Sequence, residues 1–519
     1  MVGLAVMCSR VLGLARDQIF AALFGAGASM DAFLTAFRAP NLLRDLFAEG
    51  ALSTAFVTTF SKKIATEGDA SAWRLANKVA TLTVVFMSAV TLVGIVFSPQ
   101  LIAVLGGGFS PEKAALTVTL TRVMFPFILL VSLAALVMGM LNAKHVFGAP
   151  AMASSFFNLG SIFGGVLIGY WLDPHFGARA LLGLAIGTLL GGFLQLAVQL
   201  PPLARVGFRY RPDFVWKDEG VRTILRLMGP AVIAASAVQV NVLVNASFAS
   251  YQGDGAVSWL SYAFRLMQLP LGIFGVAIAT VTLPLVSKSA ALGDTPAFRD
   301  TLARALRLAF FLTIPSAVGL ICLGEPIIGL IFERGKFLHH STVQTAAALQ
   351  FYALGLAAYS GIKVLAPAFY ALDARTTPMI VSFIAIGANL LLNSLFTFAL
   401  GWGHRGLALS TSLTATINFA LLYLLMRRKV ARLDTVALLK TLLRLALAAG
   451  ALAGVCWAGN RWLLGDFAAL HFVGKLVRLL TVIALAAGVF FGACQLLGVE
   501  EMREFTALVR RRLRRGRGR

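Results

Sequence analysis

Runs of about twenty mostly apolar residues follow one another along almost the whole chain, separated by short polar connections. That is the length a helix needs to cross the hydrocarbon of a bilayer, and no stretch is left over for a sizeable soluble domain. Of 519 residues, 59% are hydrophobic and only 13% charged, so lipid has to be the solvent for most of the surface. Bounding the runs by Lys/Arg, Gly/Pro and Asp clusters predicts an all-α polytopic membrane protein of about fourteen helices. They lie near residues 3–24, 30–60, 76–105, 114–142, 147–171, 178–204, 222–249, 256–286, 301–324, 343–371, 377–401, 405–427, 436–458 and 473–498. An even number places both termini on one side.

The formal net charge of +23 invites a nucleic-acid reading, but the basic residues occupy short connections and the terminal run Arg510 to Arg519. Lys62, Lys63, Arg74, Arg205, Arg209, Arg211, Lys217, Lys288, Arg299, Arg427, Arg428, Lys429 and Arg432 then fall on the same side as the tail. By the positive-inside rule that side is the cytoplasm, and the neighbours of these cations are phospholipid head groups, with no nucleic acid required. The opposite connections are poorer in cations, as in Ser250 to Gly255 with its single charge Asp254; Arg334/Lys336 and His404/Arg405 are exceptions. Cys8, Cys322, Cys456 and Cys494 are scattered in apolar segments without metal or redox spacing, and read as packing residues. Arg10 and Arg16 fall inside the first apolar stretch rather than before it, so the first helix is expected to stay in the mature protein.

Charges inside the spans carry the functional information. The first two predicted helices hold Arg10, Arg16, Asp17, Asp31, Arg38, Arg44, Asp45 and Glu49, and the eighth holds Arg265. Each Arg at the centre of a span costs roughly 2.5–3.5 kcal/mol on the insertion scale, so these groups must face a wet cavity or pair internally. At 100° per residue, Arg10 and Asp17 lie within about 20° of each other, and Asp31, Arg38, Asp45 and Glu49 share one side of a straight second helix. Arg44 projects elsewhere; Pro40 offers a bend, but periodicity alone does not bring Arg44 to the others. Asp17 and Asp45 each have an Arg close by, which fits register-fixing ion pairs. The excess of Arg over carboxylate fits an anionic head group, and Arg suits phosphate best because of its planar donor fork and untitratable charge.

Other motifs dissolve on inspection. Gly106-Gly107-Gly108 lacks the Gly-Lys-Ser/Thr of a phosphate loop and reads as a helix end. His339-His340 and the other histidines sit in connections without ligand spacing or a nearby nucleophile, so neither a metal, a cofactor nor hydrolytic chemistry is expected.

An internal repeat appears when the chain is laid on itself at a shift of 225 (Gly68 onto Gly293) to 231 residues (Asn158 onto Asn389). Gly68-Asp69-Ala70-Ser71-Ala72-Trp73-Arg74 then meets Gly293-Asp294-Thr295-Pro296-Ala297-Phe298-Arg299, preceded by Ser61-Lys62 on Ser287-Lys288, and Pro150 meets Pro378. A shift by six helices preserves orientation, which predicts parallel lobes, residues 1–210 and 211–430, with a binding site between them near the midplane. Two further helices (431–500) and a basic cytoplasmic tail (501–519) belong to neither lobe.

The run Ser9-Arg10-Val11-Leu12-Gly13-Leu14-Ala15-Arg16-Asp17, with Phe24-Gly25-Ala26-Gly27, Asp31-Ala32-Phe33, Pro40-Asn41-Leu42-Leu43-Arg44 and Phe47-Ala48-Glu49-Gly50-Ala51, resembles the N-terminal signature of the MurJ (MviN) family. Tyr262-Ala263-Phe264-Arg265-Leu266 to Leu269-Pro270 and Gly275-Val276-Ala277 are similar to its eighth-helix signature. The resemblance implies the MOP exporter fold, with the last two helices lining a groove for a polyprenyl tail. It implies a bacterial inner-membrane flippase for lipid II, the undecaprenyl-pyrophosphate-linked peptidoglycan precursor, working by alternating access, with cell-wall synthesis proteins as candidate partners. Arg10, Arg16, Arg44 and Arg265 are implied to bind substrate, and Asp17, Asp31 and Glu49 to pair with them and across gates; the family motif brings in Arg44 where periodicity did not. Gln268 stands where some relatives have a carboxylate. Asn241, Asn245, Asn389 and Asn393 stand where a sodium site would want carboxylates, so none is expected. The rival within the fold is an exporter of another polyprenyl-linked glycan or of a drug. A drug antiporter fits the cation excess poorly, a membrane enzyme lacks its acid/base or metal constellation, and a scaffold leaves the arginines unexplained.

Overall fold

The structure, a computed structural model, describes residues 2–46 and 52–502, and among these the chain is helical with no β-strand. The helices are α1 (Val2–Phe24), α2 (Ala28–Leu43), α3 (Ser53–Glu67), α4 (Asp69–Val96), α5 (Ser98–Leu105), α6 (Pro111–Met124), α7 (Phe127–Ala143), α8 (Gly148–Leu172), α9 (Ala180–Ala197) and α10 (Leu200–Arg205). They continue as α11 (Glu219–Ser250), α12 (Ala256–Pro270), α13 (Val276–Ala291), α14 (Thr295–Phe332), α15 (His339–Leu354), α16 (Leu356–Ala371), α17 (Thr376–Ser394), α18 (Gly403–Lys429), α19 (Thr435–Trp462) and α20 (Phe472–Leu496). Among the described residues ten helices or helix pairs are long and apolar enough to cross a membrane, and an eleventh if α15 and α16, bent by 44°, form one span. Helix α1 falls short of the apolar requirement because Arg10, Arg16 and Asp17 lie in one stretch.

Several predicted spans are single in sequence and broken in space. The segment predicted at 30–60 divides into α2 and α3. Pro40 lies inside α2, and the ladder loosens into a π turn at residues 44–46 just beyond it. A proline ring removes one helical N–H and crowds the preceding turn, so the register changes there. The angular reckoning that placed Asp45 and Glu49 beside Asp31 assumed a straight helix, and it does not carry past this break. Glu49 itself lies outside the described residues. A second π turn, Leu271–Gly275, follows Pro270 between α12 and α13.

The chain forms two compact units, Met1–Ser258 with Arg334–Leu338, and Trp259–Glu333 with His339–Arg519. In the first, α1 packs on α8 and α8 on α9. The α8–α9 contact is made by glycines four to five residues apart, Gly160, Gly165 and Gly169 facing Gly191, Gly187 and Gly183. A Cβ on Gly183 or Gly187 would run into the backbone of Gly169 or Gly165. Within lipid no hydrophobic force draws helices together, so close backbone approach through small residues supplies the packing energy instead. Phe56, Phe60, Leu75 and Val79 form a buried cluster between α3 and α4.

In the second unit α14 is the organising helix, packed against α13, α15, α16 and α19, and α19 pairs with α20. Phe298, Phe311, Phe369 and Phe490 are buried in its core. The two connections matched by the repeat are built alike: Gly68 and Gly293 both adopt positive φ, 81° and 69°, each just before a long helix. Asp294 additionally caps α14 by accepting from the Ala297 N–H at 3.0 Å.

Candidate functional site

On α1, Arg16 donates from Nη2 and Nε to Asp17 Oδ1 at 3.1 and 3.4 Å, and its guanidinium lies 5.6 Å from the centre of the Phe157 ring on α8. Asp17 is buried and Arg16 half-buried, so this pair holds a cation inside the first unit with one face on an aromatic ring. Arg10 is exposed, and Asn158 on α8 fixes the backbone beside it by donating to the Ser9 carbonyl at 3.1 Å. Arg10 and Asp17 share a helical side on paper, yet the pair that forms is Arg16–Asp17, between adjacent residues. The long guanidinium stem reaches across the 100° between them.

On α2, Asp31 is 0% exposed, and its carboxylate is filled with donors. Oδ1 accepts from the Ser258 N–H and Oγ–H at 2.8 and 2.6 Å; Oδ2 accepts from the Gly255 N–H at 2.7 Å and from Lys113 Nζ at 2.9 Å. Lys113, in the first turn of α6, is buried as well. It also meets Asp254 Oδ1 at 2.8 Å and sits 4.1 Å from the Phe109 ring centre. Asp31 therefore ties α2, α6 and the α11–α12 turn into one knot with a lysine as its counter-ion. Lys113 escapes a hydropathy reading because it follows Pro111 and Glu112 and counts as part of a connection. The signal for it was a carboxylate placed inside a span, which demands a buried cation from elsewhere. At the end of α2, Arg44 donates to Asp45 Oδ1 from Nη2 at 2.9 Å and Nε at 3.2 Å, both side chains half-buried.

In the second unit Arg265 is exposed on α12, on a turn whose neighbours Tyr262, Ala263, Leu266 and Met267 are buried. Gln268, one turn on, is exposed too. A further cation was absent from the sequence expectations. Lys363 lies in the middle of α16, where only Lys363 and Tyr370 are exposed along an otherwise covered helix. Elsewhere the strips open to the outside show Leu, Val, Phe and Trp, as lipid requires. A lysine in such a strip calls for water. Asn389 donates to Ser410 and Thr414 and accepts from Asn393, a neutral buried network. Among the described residues no group of three or more His, Cys, Asp or Glu is arranged to hold a metal ion.

Two units built of long apolar helices, with no strand among the described residues, define a polytopic membrane protein with the fold of MOP-superfamily transporters. A solved structure titled "Inward-facing conformation of a multidrug resistance MATE family transporter of the MOP superfamily" superposes with a TM-score of 0.69, covering 82% of this chain and 96% of that one at 15% identity, which establishes the fold. Within that class the chain belongs to the MurJ family: the family described as "Lipid II flippase MurJ" matches residues 20–494. The "Probable lipid II flippase MurJ" of Vibrio cholerae is 39% identical over 428 residues, 80% of each chain. The "Lipid II flippase MurJ" of Burkholderia cenocepacia is 34% identical over 506 residues, 95% of each. The structure titled "Lipid II flippase MurJ, inward closed conformation" has a TM-score of 0.75 at 27% identity and covers 94% of this chain and 98% of that one.

Proposed function

We propose that the chain is a lipid II flippase of the inner membrane, moving the undecaprenyl-pyrophosphate-linked peptidoglycan precursor from the cytoplasmic to the periplasmic leaflet by alternating access. Family membership over residues 20–494 supports this reading, and the intramembrane cations carry it down to chemistry. Arg10, Arg16 and Arg44 of the first unit and Arg265 of the second supply the forks that grip a pyrophosphate, and Lys363 adds a point charge. Asp17, Asp31 and Glu49 hold charges in place and pair across the gates. No bond of the substrate is made or broken, so no acid/base or metal chemistry is assigned.

Residues 1–210 and 211–430 act as the two lobes. Residues 431–500 serve the lipid tail, because they lie outside the repeat and their two long helices, α19 and α20, are apolar over most of their length. Both termini are placed in the cytoplasm by the alternation of basic connections. The test is depletion of the protein in living cells followed by assay of which precursor accumulates on which leaflet. Accumulation of lipid II on the cytoplasmic face is expected. Unchanged distribution of lipid II, with another polyprenyl-linked glycan trapped instead, overturns the substrate assignment while leaving the fold.

A further inference from the structure

The connection between α10 and α11, residues 207–218, is neither helical nor loose. It runs along one face of α4. Phe208 packs on Trp73 with ring centres 5.4 Å apart. One turn further, Asn77 clamps the backbone on both sides of Tyr210, donating to the Arg209 carbonyl at 3.3 Å and accepting from the Arg211 N–H at 3.0 Å. Another turn further, Thr81 meets the Tyr210 hydroxyl at 3.2 Å and accepts from the Asp213 N–H at 3.1 Å. The return is fixed by Lys78, which pairs with Asp218 at 2.8 Å. Trp73, Asn77 and Thr81 stand four residues apart, so the strap descends along one stripe of the helix.

Its depth follows from helix length. Helix α4 has 28 residues, about 42 Å against a hydrocarbon thickness of about 30 Å, so roughly two turns project. The projecting end is the charged one, with Asp69, Arg74 and Lys78, because no charge follows between Val79 and Val96. The strap therefore begins at head-group level and reaches its deepest point at Thr81, at the edge of the hydrocarbon. There it turns outward Phe214, Val215 and Trp216, which are 61%, 60% and 52% exposed. Arg209, Arg211 and Lys217, all exposed, flank them.

We infer that this strap is a membrane-interface anchor: Phe214, Val215 and Trp216 insert at the glycerol level while Arg209, Arg211 and Lys217 bind the phosphates of anionic phospholipids in that leaflet. Large aromatics prefer this boundary, and cations beside it are drawn to anionic lipid. The order of the residues matches the order of the layers. Such an anchor holds the linker that joins α10 to α11 against the bilayer, independently of what the protein transports.

The full-length protein, with Cys8 replaced by Ser and Val215→Cys labelled by a bimane fluorophore, is reconstituted into vesicles of phosphatidylcholine with or without phosphatidylglycerol. Quenching by lipids brominated near the head-group end of the acyl chain is expected, with protection from aqueous iodide. Arg209→Gln, Arg211→Gln and Lys217→Gln each lower the preferential retention of phosphatidylglycerol, roughly fivefold per cation removed. Free iodide access with no quenching by brominated lipid overturns the anchor and makes the strap a water-exposed surface for a protein partner. Lipid quenching with retention unchanged in the triple variant overturns the anionic-lipid assignment. Both readouts are independent of lipid II, so a failure here is separable from a failure of the flippase reading.

Discussion

Asp31 and Lys113, 82 residues apart in the chain, meet at 2.9 Å with side chains only 0% and 6% exposed. Removing Lys113 leaves the buried Asp31 carboxylate without its counter-ion, at a cost of about 3–5 kcal/mol, whereas removing Asp31 leaves Lys113 its second partner, Asp254. Lys113→Met is therefore expected to lower the melting temperature of the purified protein sharply. Asp31→Asn should lower it less, chiefly through the turn at Gly255–Ser258 that the carboxylate caps, because Lys113 keeps Asp254. The double variant should recover a large share of the sum, and strict additivity in a double-mutant cycle would show that the pair is uncoupled.

Arg265 tests the phosphate reading most directly. A fork bound to pyrophosphate loses paired hydrogen bonds on Arg265→Lys and loses charge as well on Arg265→Ala. A charge-assisted contact is worth roughly 1.5–3 kcal/mol, so affinity for a pyrophosphate lipid should fall about ten- to a hundredfold in the alanine variant. Folded yield is measured beside it. Normal affinity with poor yield would make Arg265 a structural residue only.

The glycine contact between α8 and α9 makes a prediction with an internal control. Gly187→Ala puts a methyl group into the backbone of Gly165, which has no flexible atom to move aside, and overpacking of this kind costs about 1–3 kcal/mol. Gly387, inside α17, has open space around its would-be Cβ, so Gly387→Ala should be neutral or stabilising by about 0.4–1 kcal/mol. Thermal melts of the two variants in the same detergent should move in opposite directions or differ clearly in size. Equal losses would refute the packing account.

Asp218 sets an acid limit on the strap. Partial burial alone would raise its carboxyl, but the hydrogen bond and charge of Lys78 and the N–H groups of Gly220 and Val221 outweigh it, leaving the carboxyl below its ordinary value of 3.8. A depressed folded value means stability that is fully present above that ordinary value and lost as pH falls through the folded one. Asp218→Asn should thus be less stable than the parent at pH 7. The gap should narrow as pH drops from about 4 downwards, where the parent also loses the charge. A gap independent of pH would mean that Asp218 acts through capping geometry alone.

The helical class was legible in the residue order, as was the presence of charges such as Arg16, Asp17 and Asp31 within helical segments, because spanning length and the position of a charge are local properties of the chain. The two connections aligned in the sequence share one local feature, a positive-φ glycine just before a helix, at Gly68 and Gly293. What residue order could not decide is where a span breaks and which charge meets which. Pro40 announced a disturbance, but only the folded chain shows that α2 runs past it to Leu43, that Arg44 and Asp45 lie in the π turn that follows, and that a straight-helix angle does not carry across that turn. Asp31 was visible as a charge in need of a partner; Lys113 as that partner depends on α6 coming to rest against α2. Lys363 became visible as a functional candidate only once the rest of α16 was seen to be covered. Such pairings are set by distance in space, and periodicity along one helix carries no information about the surfaces of its neighbours.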